Sequence, residues 1–409
     1  MYSGGTASFS IAVNGNPTPG IVWQRSNDKG ATWNAINGAT AATYDFTVQP
    51  TDTGAQFRAL ATNSQGSILS AAATLREIPA VYAGGEIDVT NPESGYWING
   101  TWVPLPSPTG TTAQVKALSV SGNKVTAAGS WESALAGFSI PTGYWLDGNW
   151  VDLALPSGYT WGLVESLVVS GSDLYLAGAL FPNNVPGYWL NGTWNGLPIP
   201  AGADFASLFS FVLSGTDVYA AGYSASSGVV SPGYWFNGTW TGLPLPAGSV
   251  SGIVESIVVS GSDVYAAGFA SSQTTGYSGS PGYWLNGSWV GLALPTGQTE
   301  GAVTTLVVTG TDVYAAGFSE NATITIPGYW LNGAWVGLPV PGGFDGGQVS
   351  SLVLSGGKVY AGGVSGVGGG TGYFSSTVPG YWVDGVWVGL PIPSPGTGFS
   401  RVSSLTVIP

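Results

Sequence analysis

Gly95-Tyr96-Trp97-Ile98-Asn99-Gly100-Thr101-Trp102 is one copy of a unit that recurs along most of this chain. Gly-Tyr-Trp starts again at Gly143, Gly187, Gly233, Gly282, Gly328 and Gly380, at intervals of 48, 44, 46, 49, 46 and 52 residues. A second tryptophan follows the first by five positions in every copy, which uses fourteen of the eighteen tryptophans. Between them stands Asn-Gly or Asp-Gly, the dipeptide of two-residue type I′ hairpins, where both central residues need positive φ. The pair one step outward from such a turn brings side chains closest across the strands, so the two indoles are expected to stack.

Two more strands complete each unit. One reads Val164-Glu165-Ser166-Leu167-Val168-Val169, and a Ser170-Gly171-Ser172-Asp173 turn leads into Leu174-Tyr175-Leu176-Ala177-Gly178. Four antiparallel strands in about 47 residues define a propeller blade. The expected fold is therefore all-β: a seven-bladed β-propeller over 80–409, with four-stranded antiparallel blades. The first copy lacks an innermost strand, and the final Val402–Val407 segment is an innermost strand without a blade. The C-terminal strand is thus expected beside Val81, closing the ring.

The pattern resembles kelch repeats. Gly84-Gly85 and Gly362-Gly363 end second strands, a Tyr precedes a Trp by six residues, and Leu-Pro follows on the last strand. It departs from kelch in reducing most double glycines to Ala-Gly and in tightening the last hairpin. Residues 1–78 resemble a bacterial immunoglobulin-like β-sandwich, through Trp23 on one strand and the corner Asp52-Thr53-Gly54-Ala55-Gln56-Phe57 on a later one. Ile11 and Ala59 stand where that fold often has cysteines, and Phe57 lacks the hydroxyl of a corner tyrosine. The first strand reads as truncated, and the resemblance implies a spacer role.

Composition narrows the function. With 409 residues, 7% charged residues, 8 Lys+Arg against 21 Asp+Glu and a net charge of −13, no basic groove for nucleic acid can be built. No Cys or His exists, which removes zinc, haem and blue-copper sites and histidine triads. Acidic loops carry no Asp-x-Asp-x-Asp-Gly calcium run, so no metal or cofactor is expected. No apolar run approaches the roughly 20 residues of a membrane span, and membrane insertion is not expected. The opening Met1-Tyr2-Ser3-Gly4-Gly5 is no signal peptide and reads as a start placed inside a longer protein. Low charge with abundant Gly, Ser, Thr and Trp suits a secreted or bacterial cell-surface protein.

Strand parity puts the two short, uniform turns of each unit at one end. The connections between second and third strands, and those between units, lie at the other. These vary from copy to copy, so recognition is expected there. The candidate ligand-binding residues are Trp131, Tyr159, Trp161, Phe181, Phe205, Tyr223, Tyr277, Phe344 and Tyr373, beside carboxylates such as Glu86, Asp88, Glu132, Asp204, Glu300, Glu320 and Asp345. Rings beside carboxylates and amides suit a neutral sugar, while the plainer reading has many of them filling gaps between blades. Glu165 and Glu255 share one innermost-strand position and are expected to face a central channel. The sequons at Asn99, Asn191, Asn237 and Asn286 follow from the turn. Charged clusters for catalysis are scarce, so no catalytic residues and no enzyme activity are expected. The leading reading is a non-catalytic module binding a glycan or surface polymer, as a monomer or within a surface assembly. The alternatives are an adhesion protein contacting other proteins and, third, a two-carboxylate hydrolase.

Overall fold

The computed structural model describes residues 6–75, 79–87, 93–106, 111–122, 124–133, 141–274, 278–368, 374–393 and 398–408. The chain is all-β, and it divides into two compact units: Met1–Ala80 with Val407–Pro409, and Val81–Thr406.

In the smaller unit, Thr6–Ser10 pairs with Thr43–Thr47. A second antiparallel sheet runs Asn34–Ala35, Gly20–Ser26, Gln56–Asn63, Gly66–Leu69, with Ala73–Thr74 also on Gln56–Asn63. Alternation on Gln56–Asn63 sends Phe57, Ala59 and Ala61 inward. Phe9 stacks on Phe57 at 4.6 Å between centroids, and Trp23, Ala59 and Ile11 share one apolar cluster. Packing therefore occupies the place of a cross-sheet disulfide. The corner lacks a tyrosine hydroxyl but is held by ions: Arg25 meets the buried Asp52 at 2.6 Å, and Asp52 Oδ2 accepts the Gln49 N–H at 2.7 Å.

Among the described residues, the larger unit holds seven four-stranded antiparallel sheets. In the third, the order is Trp161–Ser170, Asp173–Phe181, Val185–Leu190, Thr193–Gly196. In the first, the order is Thr101–Pro104, Glu93–Ile98, Ala80–Ile87, Arg401–Ile408, so the last strand of the chain takes the place that an opening strand fills elsewhere.

Three local devices explain the repeat. The hairpin turns have the positive φ pair of type I′, for example Asn237 at 47° and Gly238 at 80°. The turn Asn or Asp also accepts the N–H that opens the second strand, as Asn237 Oδ1 does from Val218 at 2.9 Å, and in all seven sheets. In four sheets its Nδ2 donates to the aspartate of the first turn, as Asn237 does to Asp217 at 2.8 Å. The sequon asparagines at 191, 237 and 286 are thus structural. Asn237→Ala deletes both bonds and forces alanine into the left-handed region, at an expected cost of about 2 kcal/mol. Urea unfolding of the full chain measures it.

The second device is the tryptophan pair. The first indole of each pair is fully buried, and its Nε1–H donates to a carbonyl in the connection leaving the preceding sheet, as Trp145 does to Pro106 and Trp235 to Pro198. The series includes Trp97 to Pro391, which joins the first sheet to the seventh. The second indole lies over the glycine of Gly-Tyr-Trp, where a Cβ would collide with it. Here the structure corrects the expected stacking: centroids sit 4.4–4.8 Å apart, but the rings are inclined by 55–69°. The positive edge of one ring meets the negative face of the other, which a parallel sandwich forgoes.

The third is a β-bulge in the opening strand of six sheets, at Lys116, Glu165, Phe209, Glu255, Thr304 and Ser350. Opposite it stands the glycine of Ala-Gly (Gly-Gly in the seventh sheet), for example Gly222 facing Leu208. A Cβ there would enter the Ser207 carbonyl. Neighbouring strands are tied by the serine after the bulge and by Ser404 of the last strand: Ser210 Oγ accepts Ile257 N–H, Ser256 accepts Leu306, Ser351 accepts Leu405, and Ser404 accepts Leu118. Among the described residues an apolar cluster fills each of the six successive junctions from the first sheet to the seventh; Tyr175 and Tyr188 of the third sheet, for instance, pack against Phe211 and Trp235 of the fourth.

Candidate functional site

At one end of the larger unit the connections between second and third strands are irregular in length, from 227–228 in the fourth sheet to 134–142 in the second. The connections between sheets are more regular than expected, a correction to the sequence reading. Each of five closes as a turn in which the residue after glycine donates to a proline carbonyl: Tyr159 to Pro156, Ala203 to Pro200, Ser249 to Pro246, Gln298 to Pro295 and Phe344 to Pro341. Only the side chains borne on that turn differ.

The strands also run further than the sequence implied, so several candidates stand on strand ends rather than loops. Trp161 opens one strand and Phe181 closes its partner; they pair across the ladder and stack at 3.8 Å, 2° from parallel. Both are half-buried, forming an aromatic slab. Phe205, at the start of its strand, meets Tyr223 edge-on at 6.2 Å. Tyr223 also contacts Phe209 at 5.7 Å and joins the apolar cluster of Ile253, Phe269, Ala302 and Phe318, so its ring is largely structural. Tyr159 packs against the cluster between the second and third sheets and is structural for the same reason. Phe344 is half-buried on its turn. Trp131 stands on Lys124–Ser133, opposite Ala113. Tyr277, Tyr373 and Asp88 lie outside the described residues.

The carboxylates named from sequence are mostly engaged. Asp204 accepts the Ser227 N–H at 2.7 Å and Asp345 the Gly368 N–H at 2.8 Å. Glu300 accepts from Ser278 Oγ at 2.8 Å, and the buried Glu320 from Thr325 Oγ1 at 3.2 Å. They hold the irregular connections in place. Among the described residues, no group of three or more His, Cys, Asp and Glu is placed to hold a metal, and no helix is long and apolar enough to cross a membrane.

A concave feature of this end is a cavity of about 310 Å3 where the seventh sheet meets the first. It is lined by Glu86, Gln348, Val364, Phe374, Thr377, Phe399 and Arg401. The Phe374 ring lies over Gly346 and Gly366, where any Cβ would strike it. Phe399 is 52% exposed. Arg401 Nε lies 2.7 Å from Glu86 Oε1, so the wall carries a fixed, internally neutralised ion pair. Thr377 Oγ1 donates to Ser400 O at 2.7 Å and holds the segment bearing Phe399. Of these residues the sequence singles out Glu86, and nothing in it shows that they converge.

A second polar cluster occupies the bulge positions. Lys116 Nζ lies 3.9 Å from Glu165 Oε2. Burial pushes the Glu165 carboxyl upward against the pull of Lys116 and Arg401. Burial, aided by the charge of Glu165, pushes Glu255 up to about 7. The expected common position of Glu165 and Glu255 is thus a bulge that removes both from the ladder.

A family model described as a domain of unknown function (DUF8696) matches residues 2–77. A stretch of 134 residues, 27% of this chain, is 29% identical to Endoglucanase C of Cellulomonas fimi, and the match spans 12% of that enzyme's length. Solved structures with similarity include a puromycin-hydrolyzing peptidase of Mycobacterium tuberculosis (12% identity, 69% of this chain and 54% of that one, TM-score 0.34). Another is a GH32 beta-fructofuranosidase of Bombyx mori (12% identity, 68% and 63%, TM-score 0.31). A DUF4784 family protein of Bacteroides caccae covers 100% of this chain and 96% of its own at 8% identity, with a TM-score of 0.25. At these scores the structural likenesses carry no argument about this chain.

Proposed function

We propose that residues 80–409 form a closed, kelch-like seven-bladed β-propeller sealed by its C-terminal strand, and that 1–78 is an immunoglobulin-like spacer. The protein is secreted or displayed on a bacterial surface, and the irregular end of the propeller is a non-catalytic glycan-binding face. The neighbouring places of Ala80–Ile87 and Arg401–Ile408 in one sheet, with the Trp97–Pro391 bond, support closure.

The observation that carries the binding reading is the cavity between the seventh and first sheets. Two phenyl rings offer apolar faces to sugar C–H groups, while Gln348 and the Arg401–Glu86 pair offer acceptors and donors to hydroxyls. Because the ion pair is already neutralised, it suits a neutral sugar. The Trp161–Phe181 slab at the same end adds a platform for a longer chain. The partial match to an endoglucanase supports a carbohydrate-related role.

Affinity electrophoresis of the full chain through gels containing soluble cellulose derivative, xylan or mixed-linkage glucan tests this reading. Retardation is expected in at least one polymer. Phe399→Ala is expected to weaken it about tenfold, about 1.4 kcal/mol, with an unchanged unfolding midpoint because the ring is largely exposed. Trp161→Ala is expected to weaken binding severalfold and also to lower stability by about 1 kcal/mol through loss of the stack. Unretarded migration in every polymer overturns the proposal.

A further inference from the structure

At the opposite end of the larger unit, where the turns are uniform, one groove stands out. It lies between the third and fourth sheets, measures about 430 Å3, and is lined by Tyr188, Asn195, Gly196, Leu197, Val218, Asn237 and Gly238. It coincides with a departure from the repeat. The residue opposite the tyrosine of Gly-Tyr-Trp is valine in five copies (Val103, Val151, Val290, Val336, Val388) and threonine in one (Thr241), but asparagine at 195. Nothing in the fold calls for that change, since the flanking strands, the turn and the tryptophan pair are like those of the other sheets.

We infer that this groove is a second sugar site, taking a neutral, hydroxyl-rich ring, on the end of the propeller remote from the first. Asn195 Nδ2 donates to Thr193 O at 3.0 Å, which leaves Oδ1 without a partner among the described residues, as an acceptor in the groove. The Tyr188 hydroxyl has no partner among the described residues either, while its ring is braced by Phe211 at 5.1 Å and Tyr175 at 6.1 Å. Burial raises its pKa, so it remains a neutral donor and acceptor. Asn237 is held through both amide atoms by Val218 and Asp217 and so forms a rigid wall. Leu197 and Val218 supply an apolar floor, and Gly196 and Gly238 leave backbone polar groups uncovered by side chains. Acceptor, hydroxyl and apolar floor without a charge match a neutral sugar rather than an acid or an amine. Glycan binding as such is shared with the proposal above, but the two sites have no residue in common. Their presence at two ends would let one chain bridge two glycan strands, gaining avidity without new contacts.

An array of neutral mono- and oligosaccharides supplies the probe, the glycan retained most strongly by the full chain, which is then titrated calorimetrically. Two sites per chain are expected. Asn195→Val installs the residue of five sister copies, so the fold is kept, and is expected to reduce the count to one at an unchanged unfolding midpoint. Tyr188→Phe is expected to weaken that same site at least threefold, whereas Phe399→Ala removes the other. Two sites surviving in Asn195→Val, or one site lost only with Phe399→Ala, overturns the inference and leaves the first proposal standing. One site lost only with Asn195→Val does the reverse, and no retention on the array overturns both.

Discussion

Gly222→Ala is expected to abolish folding of the larger unit, although the change adds one methyl group. Its Cβ would enter the Ser207 carbonyl and approach Leu208 Cα to 2.8 Å. Both obstacles are backbone of the bulged strand and cannot rotate away. Relief requires the opening strand to straighten, which would move Leu208 and Phe211 out of the junction they fill with Trp235. The expected cost exceeds about 4 kcal/mol, the range reserved for overpacking that a core cannot absorb. Ala221→Gly, one position earlier, is the control. That residue is already glycine at Gly84 and Gly362, so about 1 kcal/mol is expected. Soluble yield, near-UV circular dichroism and urea unfolding distinguish the two. A Gly222→Ala protein that unfolds with the native midpoint would show that the bulge and its glycine are independent.

The second large effect is a pH dependence. Glu255 is raised from 4.5 to about 7 by burial, with the charge of Glu165 adding to it and Lys116 opposing. A carboxyl whose folded pKa exceeds its unfolded one keeps its proton longer in the native state. Stability is therefore fully present below about 4.5, falls as pH rises, and levels off above about 7. The full penalty is about 3 kcal/mol, and Glu165, raised in the same direction, adds to it. Glu255→Gln removes the titration, so the variant is expected to be more stable than the parent at pH 8 and similar to it at pH 4. Lys116→Met should act oppositely, pushing both carboxyls further up and steepening the loss. Unfolding midpoints between pH 4 and 8 give the answer, and parallel profiles for parent and Glu255→Gln would refute the burial argument.

The contrast between these two residues shows what was legible. The glycine of each Ala-Gly or Gly-Gly pair could be counted in the sequence, but its reason could not. Gly222 is needed because the strand it faces bulges at Phe209, and a bulge is a property of register between strands. Glu165 and Glu255 were visible as equivalent positions, yet their coupling to Lys116 and Arg401 depends on strands from four different sheets. Among the candidate rings, Trp161 and Phe181 were each expected to meet a ligand singly. They meet each other because the second strand runs to Phe181, and that length comes from pairing across the ladder. The packing of Tyr159 and Tyr223 was illegible for a related reason, since an aromatic residue beside a turn gives no sign of whether its ring falls back onto a neighbouring sheet. The cavity residues Glu86, Gln348, Phe399 and Arg401 come from both ends of the repeat and share no local motif.

By itself, the amino-acid order determined the hairpins, the number of copies and the all-β class, because turn type and aromatic spacing act within a few residues. Backbone dihedrals at Asn-Gly and the reach of one indole to the next need no distant partner. Only the tertiary structure decided which rings stay open to a ligand, which carboxylates are engaged, and where a cavity opens. Those outcomes follow from how neighbouring sheets press together, and burial and desolvation are properties of that contact rather than of any single stretch of chain.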